Sequence, residues 1–507
     1  MINSIPELIH RNYRVSEGGS ESLRGERFIK SLNDGRTVWL DGNKVTHLDT
    51  HPAFRGTLGT IRNLFDSLDD PHLRDQVGYR IKGREAYAHS SFLVPHTPEQ
   101  LAKRSQSFAF WSKQCNGMMS RLSDYARSFI TGWYAARHEL DRLEPGFAHK
   151  ITTYYETARD NDLFLTTAII DPQIDRSSGL DDNRIASRFL HVVKETSEGI
   201  VVRGAKMIAT GAPYTHDFVI FSFLKLEQAH REHAHVLIVP ANSAGLHIVC
   251  RQSYASDKAH DSPLSARYDE MDAVLFFDDV LIPWERVLMY GDAQKVMALR
   301  ANTTANALAF HQNVVRYVAK LEFITGVTFA VAEAIGVGGF LHIQEKLGEL
   351  LTQIDTIKAL VIASETQAKY DEHGVLVPEL SYINTARNIG TKFYPRAVEI
   401  LQQIGGGGFV QVPSSIEDFY GTISELMSEY FEGATVSAEK KVQLFKLAWD
   451  LVGSPLGARH ELYERFYAGD PVRGYANQYL SHDKESLTAP IWKLIKESAK
   501  RGAVNGS

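Results

Sequence analysis

"GIVVRGAKMIAT" (Gly199–Thr210) and "DAVLFFDDVLIPW" (Asp272–Trp284) decide the fold. Both are rich in β-branched and aromatic residues and are bounded by Gly, Asp or Pro, the marks of strands closed by turns. Between them lie "DFVIFSFLKL" (Asp217–Leu226), "AHVLIVPA" (Ala234–Ala241) and "GLHIVCR" (Gly245–Arg251), which read the same way. This spacing predicts a β-sandwich or barrel over residues 163–292.

On either side the apolar period changes from two to 3.6. Residues 1–162 contain "AFRGTLGTIRNLFDSLDD" and "PEQLAKRSQSFAFWSKQ", both with helical i, i+3, i+4 spacing. They also hold "GRTVWLDGNKV" (Gly35–Val45), a short hairpin by its β-formers around Asp41-Gly42. From 293 to 507 long amphipathic runs return, as in "ANALAFHQNVVRYVAKLEFITGVTFAVAEA" and "SAEKKVQLFKLAWDLVGS", and predict a helical bundle. The order is a mainly helical domain (1–162), a β-domain (163–292) and a bundle (293–507): an α+β multidomain chain. Its 507 residues fit the three domains that ~150 residues each would give.

Lys+Arg number 55 and Asp+Glu 61, so no basic excess draws nucleic acid or an acidic membrane. Only Cys115 and Cys250 occur, which suits a reducing compartment and predicts a cytoplasmic protein. The N-terminal residues lack the apolar core of a signal peptide. "FITGVTFAVAEAIGVGGFLHI" (Phe323–Ile343) is long and apolar, but a spanning helix would bury Glu333 in lipid at several kcal/mol. A bundle helix followed by a glycine break is expected there.

No glycine fingerprint follows a strand, and no P-loop, HExxH, CxxC pair or GxSxG is present, so no metal is expected. "AHREHAH" carries His230, His233 and His235 between two strands; a solvated turn, a metal site and a mobile lid touching a ligand are its three readings. "QQIGGGGFVQVPSS" (Gln402–Ser415) sets four glycines after a helical run. Such a stretch lets a large flat or phosphorylated group approach the backbone, or ends a helix packed on another.

Long phrases throughout the chain, in order, resemble the large, oxygen-activating component of two-component flavin monooxygenases, typified by 4-hydroxyphenylacetate 3-monooxygenase. They run from "FIKSLNDGRTVWLDGNKVTHLDTHPAFR" through "SRLSDY", "IIDPQIDRS", "GIVVRGAKMIATGAPYTH" and "PLSARYDEMDAVLFFDDVLIPWERVL" to "KLAWDLVGSPLGARHELYERFYAGDP". The resemblance implies an acyl-CoA dehydrogenase-like fold and assembly as a homodimer or homotetramer. It implies FAD, delivered as FADH2 by a separate NAD(P)H:flavin reductase, with O2 as cosubstrate. It also implies hydroxylation of a phenolic or related aromatic ring, ortho to the hydroxyl, through a C4a-hydroperoxyflavin.

Residue by residue, "SRLSDY" resembles the family's arginine-x-x-x-tyrosine motif. Arg121 and Tyr125 then hold the substrate oxygen beside the flavin; four apart on a helix, they share one face. An opposite charge lowers a phenol's ordinary pKa of ~10 by ~1–3 units, and a phenolate is the better nucleophile at its ortho carbon. The alternative is a helix pair with Arg121 bonded to Asp124. "TTAIIDPQIDR" resembles the flavin-ring loop. Thr167 stands where hydroxyphenylacetate hydroxylases have a histidine, and Met289 where the halophenol branch has one. Threonine makes hydrogen bonds but shuttles no proton near neutral pH. His216 and the loop histidines are then the candidates for the proton.

The resemblance places Asp171, Gln173, Ile174 and Arg176 along FAD and Thr210 at the isoalloxazine edge, where hydroxyl and backbone donors would stabilise negative charge. It places Ser454, Pro455, Leu456 and Gly457 at the nucleotide. Ser222, Phe223, His230 and His233 fall in the family's variable substrate loop, and the four glycines near the flavin or a neighbouring chain. The alternatives are an acyl-CoA dehydrogenase-like or dehydratase-like flavoenzyme, which the arginine–tyrosine motif and the lack of a cysteine set oppose, and a non-catalytic flavin-fold scaffold.

Overall fold

Asp41 and Gly42 take left-handed backbone angles (φ 50° and 77°), the two-residue turn that matches strand twist. The hairpin expected there forms between Thr37–Leu40 and Asn43–Val45. In this computed structural model, which describes residues 22–504 except 176, 178, 179, 223 and 225, the hairpin belongs to a larger sheet. Thr37–Leu40 pairs in parallel with Leu246–Cys250, so a segment from the helical N-terminal region extends the middle sheet. The six strands run in the order Asn43–Val45, Thr37–Leu40, Leu246–Cys250, Asp272–Pro283, Gly199–Thr210, His191–Glu195.

A second sheet has four strands: Val287–Tyr290, His235–Pro240, Asp217–Ile220 and Leu165–Ala168. The two sheets differ in cover. Phe218, Ile220, Leu237 and Val239 join the core shared with the first sheet, while Val219, Val236 and Ile238 join a second core with helices Ser123–Ala135 and Phe147–Asp160. Covered on both faces, these strands read as continuous apolar runs. Asp272–Pro283 instead alternates buried and exposed residues over most of its length. "DFVIFSFLKL" yields a strand only at Asp217–Ile220; the chain then leaves the sheet.

Helix Thr303–Ala334 forms the axis of the C-terminal bundle, against Leu341–Thr366, Leu380–Gly405 and Ala438–Val452. It stops at Ala334, before Gly336 (φ 71°), and Glu333 is exposed, as the glycine break predicts. Among the described residues no helix is long and apolar enough to cross a membrane. Cys115 and Cys250 are both free thiols.

The four glycines end helix Leu380–Gly405 and begin a short 3₁₀ turn, Gly406–Phe409. A Cβ on Gly408 would lie 2.5 Å from the Phe445 ring, whereas Gly406 and Gly407 face open space. Within this chain the stretch is therefore a helix terminator seated on Ala438–Val452.

Candidate active site

A chain of buried hydrogen bonds ties the three parts of the molecule together. Glu270 accepts the backbone N–H groups of Ser120 (3.1 Å) and Arg121 (2.6 Å), which fixes the lead-in to helix Ser123–Ala135. Arg459 bonds Glu270 (3.2 Å) and grips Asp272 with two nitrogens (2.6 and 2.9 Å). Asp272 accepts from Thr210 Oγ1 (2.7 Å), and the Thr210 carbonyl accepts from Thr166 Oγ1 (2.7 Å). Ser123 Oγ accepts the Leu165 N–H (2.7 Å), joining the helix start to the strand that carries Thr167. Burial works against the Asp272 charge, but Arg459 and Arg251 outweigh it and hold the carboxyl down at about 2.

Beside this chain Glu464 meets Arg316 with both oxygens (2.6 and 2.9 Å) and Lys320 at 2.9 Å, all fully buried. Burial pushes Lys320 down to about 8. Lys320 Nζ donates to His460 Nδ1 (3.0 Å), and burial keeps His460 neutral, far below the usual imidazole range. Ser120 Oγ donates to Glu464 (3.1 Å), so both networks meet at the residue before Arg121.

Arg121 lies over Tyr125, its guanidinium carbon 4.0 Å from the ring centre, so the i, i+4 expectation holds. Asp124 is not its partner: that carboxyl is buried and accepts from Gln312 Nε2 (3.0 Å). Burial pushes Asp124 up to about 7. Arg121 Nη2 donates to the Tyr467 carbonyl (3.2 Å), while Nη1 is buried and has no hydrogen-bond partner among the described residues. Burial disfavours the Arg121 charge, yet the phenols of Tyr463 and Tyr125 more than offset it, and its pKa lies above the ordinary arginine value. The hydroxyls of Tyr463 and Tyr467 are also buried and have no hydrogen-bond partner among the described residues.

From Tyr125 an aromatic wall runs through Phe129 (5.2 Å between ring centres) to Phe221 (5.9 Å), which precedes Ser222. Thr167, paired with Val219 across the second sheet, is buried, and its hydroxyl bonds to none of the described residues. Ser222 Oγ donates to Asp171 Oδ2 (2.5 Å) and Lys206 Nζ to Asp171 Oδ1 (2.6 Å), so Asp171 is neutralised by a buried lysine. Phe223 and Arg176 lie outside the described residues.

The histidine segment differs from a solvated turn. It forms a 3₁₀ turn with His230 and His233 buried, because flanking Leu226 and Ala234 pack into the second core. His230 Nδ1 accepts the Glu227 N–H (3.2 Å) and its Nε2 faces Asp181 (3.3 Å). His233 Nδ1 lies 3.3 Å from the Leu190 carbonyl. His216 is held in the core: Nδ1 accepts the Phe164 N–H (2.8 Å), Nε2 meets Ser31 Oγ (2.7 Å), and burial pushes it down to about 3. It is not placed to carry a substrate proton.

Several features suit a bound flavin. Gln173 and Ile174 are exposed on a loop that bridges Met207 through Ile170. Next to Met207, Ile208 takes φ 56°, a costly conformation for a β-branched residue, and presents an exposed apolar side chain. Thr210 Oγ1 donates its hydrogen bond to Asp272, so toward a ligand it offers only an acceptor. Ser454 Oγ caps its own helix by accepting the Gly457 N–H (3.0 Å), Pro455 is exposed and Leu456 is core.

The sequence reading passed over Glu270, Asp272, Arg316, Lys320, Arg387, Arg459, His460, Tyr463 and Glu464. A signal was present. Arg316 and Lys320 sit four apart in a long, largely buried helix, and His460 and Glu464 continue the buried stripe begun by Leu456. Charges at core positions of a helix imply partners.

Comparison with known proteins identifies the family. Residues 24–289 match the family model described as 4-hydroxyphenylacetate 3-hydroxylase N terminal, and residues 296–496 match its C-terminal counterpart. The oxygenase component of 4-hydroxyphenylacetate 3-monooxygenase from Thermus thermophilus is 38% identical over 481 residues, covering 94% of this chain and 98% of the relative. The oxygenase component of 4-nitrophenol 2-monooxygenase from Rhodococcus is 33% identical, covering 92% and 94%. A crystal structure of the oxygenase component of 4-hydroxyphenylacetate 3-monooxygenase complexed with FAD and 4-hydroxyphenylacetate superposes with a TM-score of 0.89 at 38% identity, covering 94% of this chain and 99% of that one. The architecture is thus the acyl-CoA dehydrogenase-like one.

Proposed function

The chain belongs to the 4-hydroxyphenylacetate 3-hydroxylase family, and from that premise we propose that it is the FADH2-dependent oxygenase component of a two-component monooxygenase. The net reaction is phenol + O2 + FADH2 → catechol + FAD + H2O, with the new hydroxyl ortho to the old one. One observation carries the reading: Arg121 stands over Tyr125 in a buried junction, with one nitrogen left without a partner. Bound reduced flavin supplies the electrons that activate O2.

The protein's own residues do the rest. Arg121 and Tyr125 orient the phenol oxygen, and the positive charge favours its ionised form, which activates the ortho carbon. Glu270 and Asp272, through Arg459, fix the Arg121 backbone and Thr210 in one frame. Thr167 supplies a hydrogen bond and no proton relay. The wall of Phe129 and Phe221 keeps water from the reacting carbon. For the cofactor we assign Asp171, Gln173, Ile174, Arg176, Thr210 and Ser454–Gly457, and for the substrate loop Ser222, Phe223, His230 and His233. Exposed Ile174 and Ile208 support the first group, and the Ser222–Asp171 bond supports a link between the two.

The partner is a flavin reductase that hands over FADH2 by diffusion. We place the enzyme in the cytoplasm, a compartment that its two free cysteines suit. We assign it a homodimer or homotetramer, in keeping with exposed Leu480, Leu487, Ile491 and Trp492 on the last two helices.

The test is to supply FADH2 and air with a panel of para-substituted phenols. Catechol formation coupled to flavin oxidation is expected for at least one. Flavin oxidation that yields only hydrogen peroxide across the panel would overturn the reading.

A further inference from the structure

Arg387, on helix Leu380–Gly405, has no carboxylate partner among the described residues. Its guanidinium lies 3.6 Å from the centre of the Phe310 ring, Nη1 donates to Asn384 Oδ1 (3.2 Å), and Nε is buried without an acceptor. Its Nη2 donates to the Ala468 carbonyl (3.2 Å), and the preceding carbonyl, Tyr467, takes Arg121 Nη2 (3.2 Å). Two successive carbonyls thus hold two guanidiniums side by side. The charge of each is felt at Tyr125, and that of Arg121 acts on Arg387. Burial and this repulsion hold Arg387 below the ordinary arginine value.

Two like charges held close together in a protein interior cost free energy that an anion bound between them would offset. The carboxylates nearby are committed: Glu464 to Arg316 and Lys320, Glu270 to Arg459 and two backbone N–H groups. What remains around the two cations is a set of donors without acceptors: Arg121 Nη1, Arg387 Nε and the hydroxyls of Tyr463 and Tyr467. The Arg121 guanidinium carbon also lies over the Tyr463 ring, 5.9 Å from its centre, so Tyr463 borders the same site.

We propose that Arg387 is the second cation of the acceptor-oxygen site, and that with Arg121 and the Tyr463 hydroxyl it binds the substrate's ring oxygen as the phenolate. The phenol leaves its proton in bulk water on entry, so the site needs no resident base. That accounts for a threonine at 167 and a methionine at 289 in a phenol hydroxylase. The inference rests on the phenol-hydroxylase reading above.

4-Nitrophenol reports its own ionisation by colour, so it serves as the probe. Titrated into the FAD-loaded protein, it should bind to the wild type with a pKa below that of the free phenol. Arg387→Gln should raise the bound pKa by about one unit and weaken binding by about tenfold. Tyr463→Phe should weaken binding by a few-fold, and Arg387→Lys should restore part of the ionisation. Unchanged ionisation and affinity in Arg387→Gln, with both lost in Arg121→Gln, would overturn the inference, as would a wild type that binds the probe only as the neutral phenol. Catechol formation in the same preparation tests the functional reading separately. Circular dichroism establishes that each variant is folded.

Discussion

Of the arginines in the buried junction, four form two contrasting pairs. Arg316 and Arg459 are each gripped by carboxylates through two nitrogens. Among the described residues Arg121 and Arg387 have none; an unused buried nitrogen is common to three of the four, Arg121 Nη1, Arg387 Nε and Arg316 Nε, so the missing carboxylate is what sets this pair apart. The first pair costs little to keep charged, because burial, which lowers each pKa, is outweighed by Glu464 and Asp272. On the proposal above, the second pair awaits the anion of the substrate. The neutralised arginines build the junction and the others serve it.

The contrast breaks most visibly at Arg121. Arg121→Ala should cut hydroxylation by about 10²–10³-fold, the usual loss for one charged donor at a reacting oxygen. FADH2 binding should stay within a few-fold, and the thermal midpoint should barely move. Equal losses in product formation and cofactor affinity would place Arg121 at the flavin and not at the phenol.

The opposite outcome is expected at Glu464. Glu464→Gln strands Arg316 and Lys320, and breaking a buried ion pair costs about 3–5 kcal/mol. A urea titration should show the midpoint fall, at pH 7, without a change of slope. The pH dependence has a definite sign. Burial raises the Glu464 pKa, but Arg316 and Lys320 dominate and hold it down at about 2, against ~4.3 in an unfolded chain. Its stabilisation is complete above pH ~4.3 and is lost as pH falls through about 2. The variant should lack that part of the acid limb, while Asp272 retains its own.

The same division explains what the sequence could reveal. The helix, sheet, bundle order was legible because each zone keeps one apolar period. The Asp41-Gly42 turn was legible because few dipeptides tolerate two left-handed residues. The contact of Arg121 with Tyr125 was legible because it is local, four residues along a helix, while the role assigned to the pair came from the resemblance alone. Glu270, Arg459 and Glu464 were not legible, because their partners lie 149, 189 and 148 residues away in sequence. Nothing in the local pattern of "HELYERF" separates a solvated charge from a buried one, apart from the stripe it shares with Leu456. The histidine segment misled for the same reason: its burial comes from Leu226 and Ala234 packing into a distant core.

The smallest effect sharpens the contrast from within. Asp124 precedes Tyr125 directly, and it is the nearest carboxyl in sequence that could have neutralised Arg121. Instead burial, only partly offset by Gln312 and Arg127, raises it to about 7. In the unfolded chain the same group releases its proton near pH ~3.9. The folded protein therefore binds more protons between those values, and stability from this group is full below pH ~3.9 and lost as pH rises through about 7. Asp124→Asn keeps an oxygen to accept from Gln312 and removes the titration. Its stability should change less between pH 4 and 7 than that of the wild type and match or exceed it at pH 8, as read by thermal midpoints. Hydroxylation should remain within two- to threefold, because the carboxyl takes no part in holding Arg121. If Asp124→Asn instead lost activity on the scale of Arg121→Ala, Asp124 would be the counter-ion after all, and the division of the four arginines into builders and binders would fail at its first member.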